Sequence, residues 1–396
     1  MQAIRAPARR ATSMPRSAIR EIMALAATQA NVIHLEVGEP DAATPLPIID
    51  SAFAAVRAGA TKYAPNAGLR SLRESVAARC TRRWGANVDA DRIVVTTGAI
   101  GGLFSALFCV LDPGDEILIP DPGWPNYESI AHLANAKAVR YTLRAERGFL
   151  PDLEEVRSLI GLRTKAILIN TPGNPTGAVF PRKLMSDLVE LARTNGLYLV
   201  SDEIYEDIVF EGEHVSAAQF GADDNVFIIS GFSKSYAMTG WRLGWLACPS
   251  ALAAVAASLQ EPTTSCASTP SQKAGEAALA GDQGVVTEFR DTFRRRRDLV
   301  VKSFGNSAYL PIVPAGAFYA LVDVSSAGHN SFDTAKAALL DAGVAVVPGS
   351  TFGPATDRYV RIAYTIADES LVEGVQRLRR FLDERGAARV TKAAGT

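Results

Sequence analysis

Apolar positions fall into two regimes along the chain. Between about residues 90 and 250, short continuous apolar runs alternate with stretches whose apolar residues recur every three or four positions, which predicts parallel strands joined by helices. The runs are IVVTT (93–97), EILIP (116–120), KAVRYTL (137–143), KAILIN (165–170), LYLVSD (197–202), VFIIS (226–230) and GWLAC (244–248). Unbroken Val, Ile and Leu predict strands buried on both faces, within a sheet between helix layers. The stretch LMSDLVELARTNG reads as one such helix and ends on a glycine where a C-cap is expected.

The texture changes after about residue 285. EFRDTFRRRRDLVVKSFG places Phe289, Phe293, Val300 and Phe304 on one helical face, with Arg294 to Arg297 mostly off it. The arginine run is therefore expected to be a solvated helix face and not a nucleic-acid site. Shorter strands, in FYALVDV and YVRIAY, flank an alanine-rich helix, which predicts a smaller α+β domain. The last stretch, ERGAARVTKAAGT, lacks apolar periodicity and is expected to fray.

Composition narrows the function class. At 396 residues two domains are the default. With 41 basic and 42 acidic residues the net charge is −1, which leaves no electrostatic footprint for nucleic acid or an anionic membrane. The four cysteines, Cys80, Cys109, Cys248 and Cys266, form no CxxC pair, so a reduced chain without disulfides is expected. His34, His132, His214 and His329 are scattered and lack zinc-site spacing. No apolar stretch approaches the ~20 residues needed to span a bilayer. The start carries Arg5, Arg9, Arg10, Arg16 and Arg20 without an apolar core, so it is not a secretory signal. Its Arg-rich, acid-poor character resembles a mitochondrial presequence, but a mobile arm leading into a helix and a cytoplasmic location are the reading adopted.

The most specific chemistry lies in GFSKSYAMTGWRLGW, residues 231–245. Lys234 falls just beyond a predicted strand's C-terminal end, where α/β sheets place their ligands. Gly231, Ser233 and Ser235 flank it, and Arg242 follows eight positions later. An amine nucleophile beside a fixed cation suits a cofactor with both an aldehyde and a phosphate. The arginine charge also disfavours the ammonium form of the lysine.

This string resembles the lysine-attachment motif of class I/II aminotransferases, the pyridoxal-phosphate enzymes of fold type I, and is most similar to their aspartate-aminotransferase-like branch. The likeness runs from about Ser13 to the C-terminal helix and rests on several motifs in order. It implies a mostly parallel seven-stranded large domain (48–285), a small domain (286–396), and residues 1–47 as an arm and part of the small domain. It also implies pyridoxal 5′-phosphate as cofactor, with Lys234 as Schiff base and proton shuttle. In NTPGNPTG (170–177), which by itself reads only as a tight turn, the resemblance makes Asn174 a donor to the cofactor's phenolic oxygen. In YLVSDEIY it makes Asp202 the carboxylate that keeps the pyridine nitrogen protonated, and Tyr205 a second partner of the phenolic oxygen. A buried Asp at a strand end needs a positive partner in any case.

TTGAIGG (96–102) reads as a strand running into a helix, whose backbone N–H groups at Ala99 and Ile100 would cradle the phosphate. It lacks the G-x-G-x-x-G spacing of a dinucleotide site. By resemblance, Trp124 of DPGWPNY stacks on the pyridine ring. Tyr63 of KYAPNAGLRSLRE reaches the phosphate of a neighbouring subunit, which implies a homodimer with shared active sites. Arg361 of YVRIAY grips the substrate α-carboxylate, and Gly38 of HLEVGEPD closes over the substrate.

Two departures from the family stand out. Gly231 replaces a serine often found three residues before the lysine, leaving Ser233 or Ser235 to reach the phosphate. Glu261 and Cys266 are unusual in a segment resembling one that lines a partner's substrate pocket, and a carboxylate there points away from aspartate as donor. The expected reaction is ping-pong transamination between an amino acid and a 2-oxo acid. A β-lyase of the same fold shares these motifs. A regulator retaining the fold needs a helix-turn-helix domain, for which there is no room before residue 35. A nicotinamide-dependent oxidoreductase lacks its fingerprint.

Overall fold

The computed structural model describes residues 5–14, 18–221, 225–305, 309–328 and 330–394. Arg16 and His329 lie outside them. After a short strand β1 (Ile33–His34), seven strands form the main sheet: β2 (Ile93–Thr97), β3 (Glu116–Asp121), β4 (Lys137–Thr142), β5 (Thr164–Asn170), β6 (Tyr198–Asp202), β7 (Val226–Gly231) and β8 (Leu243–Ala247). Their order is β2-β8-β7-β6-β5-β3-β4, and β8 alone runs antiparallel to its neighbours. All seven predicted runs are strands of this one sheet.

Alternation along each strand explains the unbroken apolar runs. Ile167, Ile169, Leu199 and Ile228 enter one core. Ala166, Leu168, Val200 and Ile229 enter another on the opposite face, so both faces are dry. The predicted helix is Arg182–Thr194, stopped by Gly196 at φ 66°.

A second layer holds β9 (Tyr319–Asp323), β10 (Val344–Ala345), β11 (Val347–Pro348) and β12 (Tyr359–Ala363). β11, β12 and β9 form an antiparallel sheet, while β10 pairs with β1 in parallel. The segment around β1 thus packs with the C-terminal elements despite its early place in the chain.

Two expectations are overturned here. The arginine run is not all solvated: in helix Gly284–Phe304, Arg296 and Arg297 are buried. Arg296 grips Asp41 at 2.7 and 2.8 Å and Asp368 at 3.1 Å. Arg297 reaches Glu211, Asp298 and the Pro314 carbonyl. Long apolar stems and acids contributed from elsewhere carry these side chains inward, which helical phase alone does not reveal. Nor does the chain end unravel, because helix Asp368–Ala394 runs through almost all of the last stretch. An Ala- and Arg-rich sequence propagates a helix without an apolar face once a packed N-terminal half nucleates it.

A few residues past the end of β6, Glu206 and Asp207 meet Arg79 and Arg83 at 2.6–3.3 Å. Burial alone would raise the Asp207 carboxyl, but the two arginines hold it down to about 2. Arg79→Met would strand part of this buried negative charge, an effect of about 3 kcal/mol or more. Denaturant unfolding of the variant is expected to shift by that amount, and an unchanged midpoint would contradict it. Glu203, Glu206 and His214 carry ligand-type atoms within 4.8 Å of one another. Their carboxylates are already held by Ser201, Ser216, Ala217, Ser230 and the arginines.

Candidate active site

The C-terminal ends of β5, β6 and β7 open onto a cavity of about 610 Å³, a size suited to a cofactor and small substrate. A second cavity, of about 540 Å³ over the Arg79–Asp207 network, holds none of the sequence-predicted residues.

Asp202 ends β6 with its carboxylate fully buried. It accepts a hydrogen bond from Tyr127 Oη at 2.7 Å and one from the Ile204 N–H at 3.3 Å. Burial pushes its pKa up to about 6, against these two bonds and the pull of Lys234. A carboxylate in this state is short of a positive partner. Lys234 sits beyond β7, and its Nζ donates to the Gly38 carbonyl at 2.7 Å. Desolvation lowers its pKa to about 8; Glu39 opposes the shift, and Arg361 and Arg242 add to it. The sequence reading credited the arginine charge, whereas burial is the larger cause.

Arg361 rises from β12 with its guanidinium between the rings of Tyr319 (4.4 Å) and Phe352 (5.1 Å). It donates to the Glu36 carbonyl at 2.6 Å and to Asn174 Oδ1 at 3.2 Å, while its buried Nε has no partner. Burial also lowers its pKa, so its charge gains from an incoming carboxylate. On the facing wall, helix Gly98–Val110 starts directly after β2 and presents Ala99 and Ile100. Gly98 is required there, because its φ is 70° and a Cβ would lie 2.8 Å from Arg242 Nη2. Arg242 (φ 51°) and Ala237 (φ 50°) adopt left-handed backbone without being glycines, which concentrates strain in the lysine loop.

Of the predicted residues, Gly38, Ala99, Ile100, Trp124, Asn174 and Asp202 line this cavity, as do Tyr205, Ser233, Lys234, Arg242 and Arg361. Tyr63 does not; it is 91% exposed. Of the two candidate serines, Ser233 faces the cavity, while Ser235 is buried and bonded to Asp207. Gly231 pairs with Gly244, where a Cβ would meet the Gly244 Cα at 2.9 Å, which accounts for the missing serine. Glu261 accepts from Asn66 and lies outside the cavity of its own chain.

Three residues escaped the sequence reading. Tyr127 lies within DPGWPNY, where no spacing or pattern sets it apart. Asn170, the first residue of NTPGNPTG, donates to the Asp202 carbonyl at 2.9 Å and accepts from the Asn174 N–H at 2.8 Å, fixing the turn. Tyr319 meets Tyr205 Oη at 2.9 Å and lies against Arg361. Only a strand pattern marked it.

A half-buried amine, a buried carboxylate and a buried guanidinium, each under-partnered and all lining one cavity at the strand ends of an α/β fold, are the groups that a lysine-dependent cofactor enzyme acting on carboxylate substrates requires. The chain belongs to the aminotransferase class I and II family, whose pattern matches residues 30–378. It is 38% identical over 355 residues to the aspartate/prephenate aminotransferase of Thermus thermophilus, spanning 89% of this chain and 91% of that one. It is 37% identical over 349 residues to an arginine–pyruvate transaminase of Pseudomonas aeruginosa, spanning 88% and 89%. Among solved structures, the Thermus thermophilus aspartate aminotransferase with maleate superimposes with a TM-score of 0.90 at 37% identity, covering 96% of this chain and all of that one. The protein is an aminotransferase, and its cofactor is pyridoxal 5′-phosphate.

Proposed function

We propose that the cavity carries out ping-pong transamination of an L-amino acid and a 2-oxo acid, with Lys234 as the covalent anchor and proton shuttle. The observation that carries this reading is the convergence of Lys234, Asp202 and Arg361 on one cavity, each with its charged form disfavoured by burial. When bound, the cofactor supplies an aldehyde for the lysine amine and a ring that takes up electrons from the substrate α-carbon.

The residues then divide the work. Asp202 holds the proton on the ring nitrogen. Asn174 and Tyr205 bond the phenolic oxygen, and Trp124 stacks on the ring. Arg242, Ser233 and the N–H groups of Ala99 and Ile100 hold the phosphate at a helix start. Arg361 binds the α-carboxylate and Gly38 closes over it. Lys234 Nζ, once free of the cofactor, would take the α-carbon proton and deliver it to the cofactor's aldehyde carbon. Tyr63, exposed and away from its own cavity, is assigned to the phosphate of a second copy. Leu46 and Phe53, exposed at 70% and 55%, are further large apolar side chains left uncovered in the same stretch of chain, which supports a homodimer. Four free cysteines support a cytoplasmic setting. Among the described residues no helix is long and apolar enough to cross a membrane.

Titration of the purified enzyme with amino acids tests the reading, since each competent donor should bleach the absorbance of the lysine-bound cofactor and a 2-oxo acid should restore it. A protein that takes up no cofactor would refute it. Because only the free amine attacks an aldehyde, reconstitution of the apoenzyme should accelerate about tenfold per unit as pH rises toward 8, then level off. A rate that is flat between pH 6 and 8 would contradict a depressed lysine. Arg361→Lys keeps the charge but loses the planar fork, so kcat/KM is expected to fall roughly 100-fold, mostly through KM. Steady-state kinetics with any accepted donor would detect it.

A further inference from the structure

Once the cofactor and α-carboxylate roles proposed above are assigned, the cavity keeps a set of side chains with no task. Ile19 and Met23 stand one turn apart on helix Ala18–Ala26, half-buried and lining the cavity, while Ile22 and Ala26 turn into the protein. Helix Gly98–Val110 adds a third half-buried apolar side chain, Ile100, to the lining of the same cavity.

The charges in this region do not favour a second carboxylate. Of the cationic side chains among the described lining residues, Lys234, Arg242 and Arg361 are committed, and Arg20 is exposed on the outer edge of its helix. The exposed Glu39 also lines the cavity, bonded to Thr239 Oγ1. A distal carboxylate would lose water against an apolar wall, beside an acid, with only a screened surface cation to meet it. An apolar side chain would complete the wall.

We propose that the donor's side chain is received by an apolar subsite formed by Ile19, Met23 and Ile100, so that amino acids with neutral aliphatic or aromatic side chains are preferred to aspartate. This rests on the transaminase reading and specifies its substrate class. It also moves the origin of the preference from Glu261, the residue suspected from sequence, to the chain's own cavity wall.

The test is a single-turnover series on the holoenzyme, following loss of the lysine-bound cofactor's absorbance with leucine, methionine, phenylalanine and aspartate. At least one neutral donor should react with a second-order rate constant ~10-fold or more above aspartate. Spectral titration should likewise show 3-phenylpropionate binding more tightly than succinate. Ile100→Lys should move both ratios toward the dicarboxylates by ~10-fold. Ile19→Lys, away from the phosphate cradle on a helix surface, should do the same if the first variant loses cofactor. Aspartate equalling or exceeding every neutral donor in the unmodified enzyme would overturn the proposal; if Arg20→Ala then removed that advantage, the missed cation would be identified. Lysine variants that bind cofactor and leave both ratios unchanged would overturn the placement of the subsite. A holoenzyme whose absorbance no amino acid discharges would instead overturn the transaminase reading beneath it.

Discussion

Lys234→Ala is expected to lower turnover by roughly four orders of magnitude or more while leaving the fold intact. The half-buried amine donates to the Gly38 carbonyl at 2.7 Å and lies 5.6 Å over the Phe318 ring, a fixed position that a free water does not reproduce. Two readouts separate the proposed roles of the lysine. The absorbance of the lysine-bound cofactor should vanish, and a small exogenous amine should restore part of the half-reaction with a bound amino acid. A variant that keeps full activity would remove Lys234 from the chemistry altogether.

Asp202→Asn should have the second largest effect. Asparagine is nearly the same shape, and its carbonyl can still accept from the Ile204 N–H or the Tyr127 hydroxyl. It carries no charge to hold a proton on a ring nitrogen. Loss of one preorganised electrostatic partner of this kind is worth about 100- to 1,000-fold in kcat. The same change relieves the desolvation that lifts the Asp202 pKa to about 6, so the cofactor-free variant should melt no lower than the parent. Thermal melts of the two apoproteins beside their kinetics check both halves. Full activity would sink the assigned role, and a large fall in melting temperature would show that the carboxylate is chiefly structural.

Why some of this was legible in sequence and some was not follows from which interactions are local. Strands buried on both faces leave a one-dimensional trace, and together with the β-branched edge run KAVRYTL they predicted the whole main sheet. Lys234, Asp202 and Asn174 sit in strand-end turns whose Gly, Pro and small residues announce themselves. Tyr319 and Tyr127 act through contacts with Arg361, Tyr205 and Asp202 that are distant in sequence or perpendicular to any pattern. The inward turn of Arg296 depends on Asp41, 255 positions earlier. Ser235 is bonded to Asp207, which no spacing rule connects to the lysine loop. Helical phase likewise says where a residue points, but not whether an acid waits there.

The strip around β1 is stitched to the C-terminal layer by Ile33 N–H to the Gly343 carbonyl, Leu35 N–H to the Ala345 carbonyl, Ala363 N–H to the Leu35 carbonyl, Thr365 Oγ1 to the Val37 carbonyl, and Arg361 to the Glu36 carbonyl. Asp41, gripped by Arg296, clamps its far end. Gly38 and Arg361 therefore share one hydrogen-bonded layer, while Lys234 and Asp202 belong to the main sheet opposite. The bond from Lys234 to the Gly38 carbonyl ties the two layers together across the cavity, so the position of the amine is set by both.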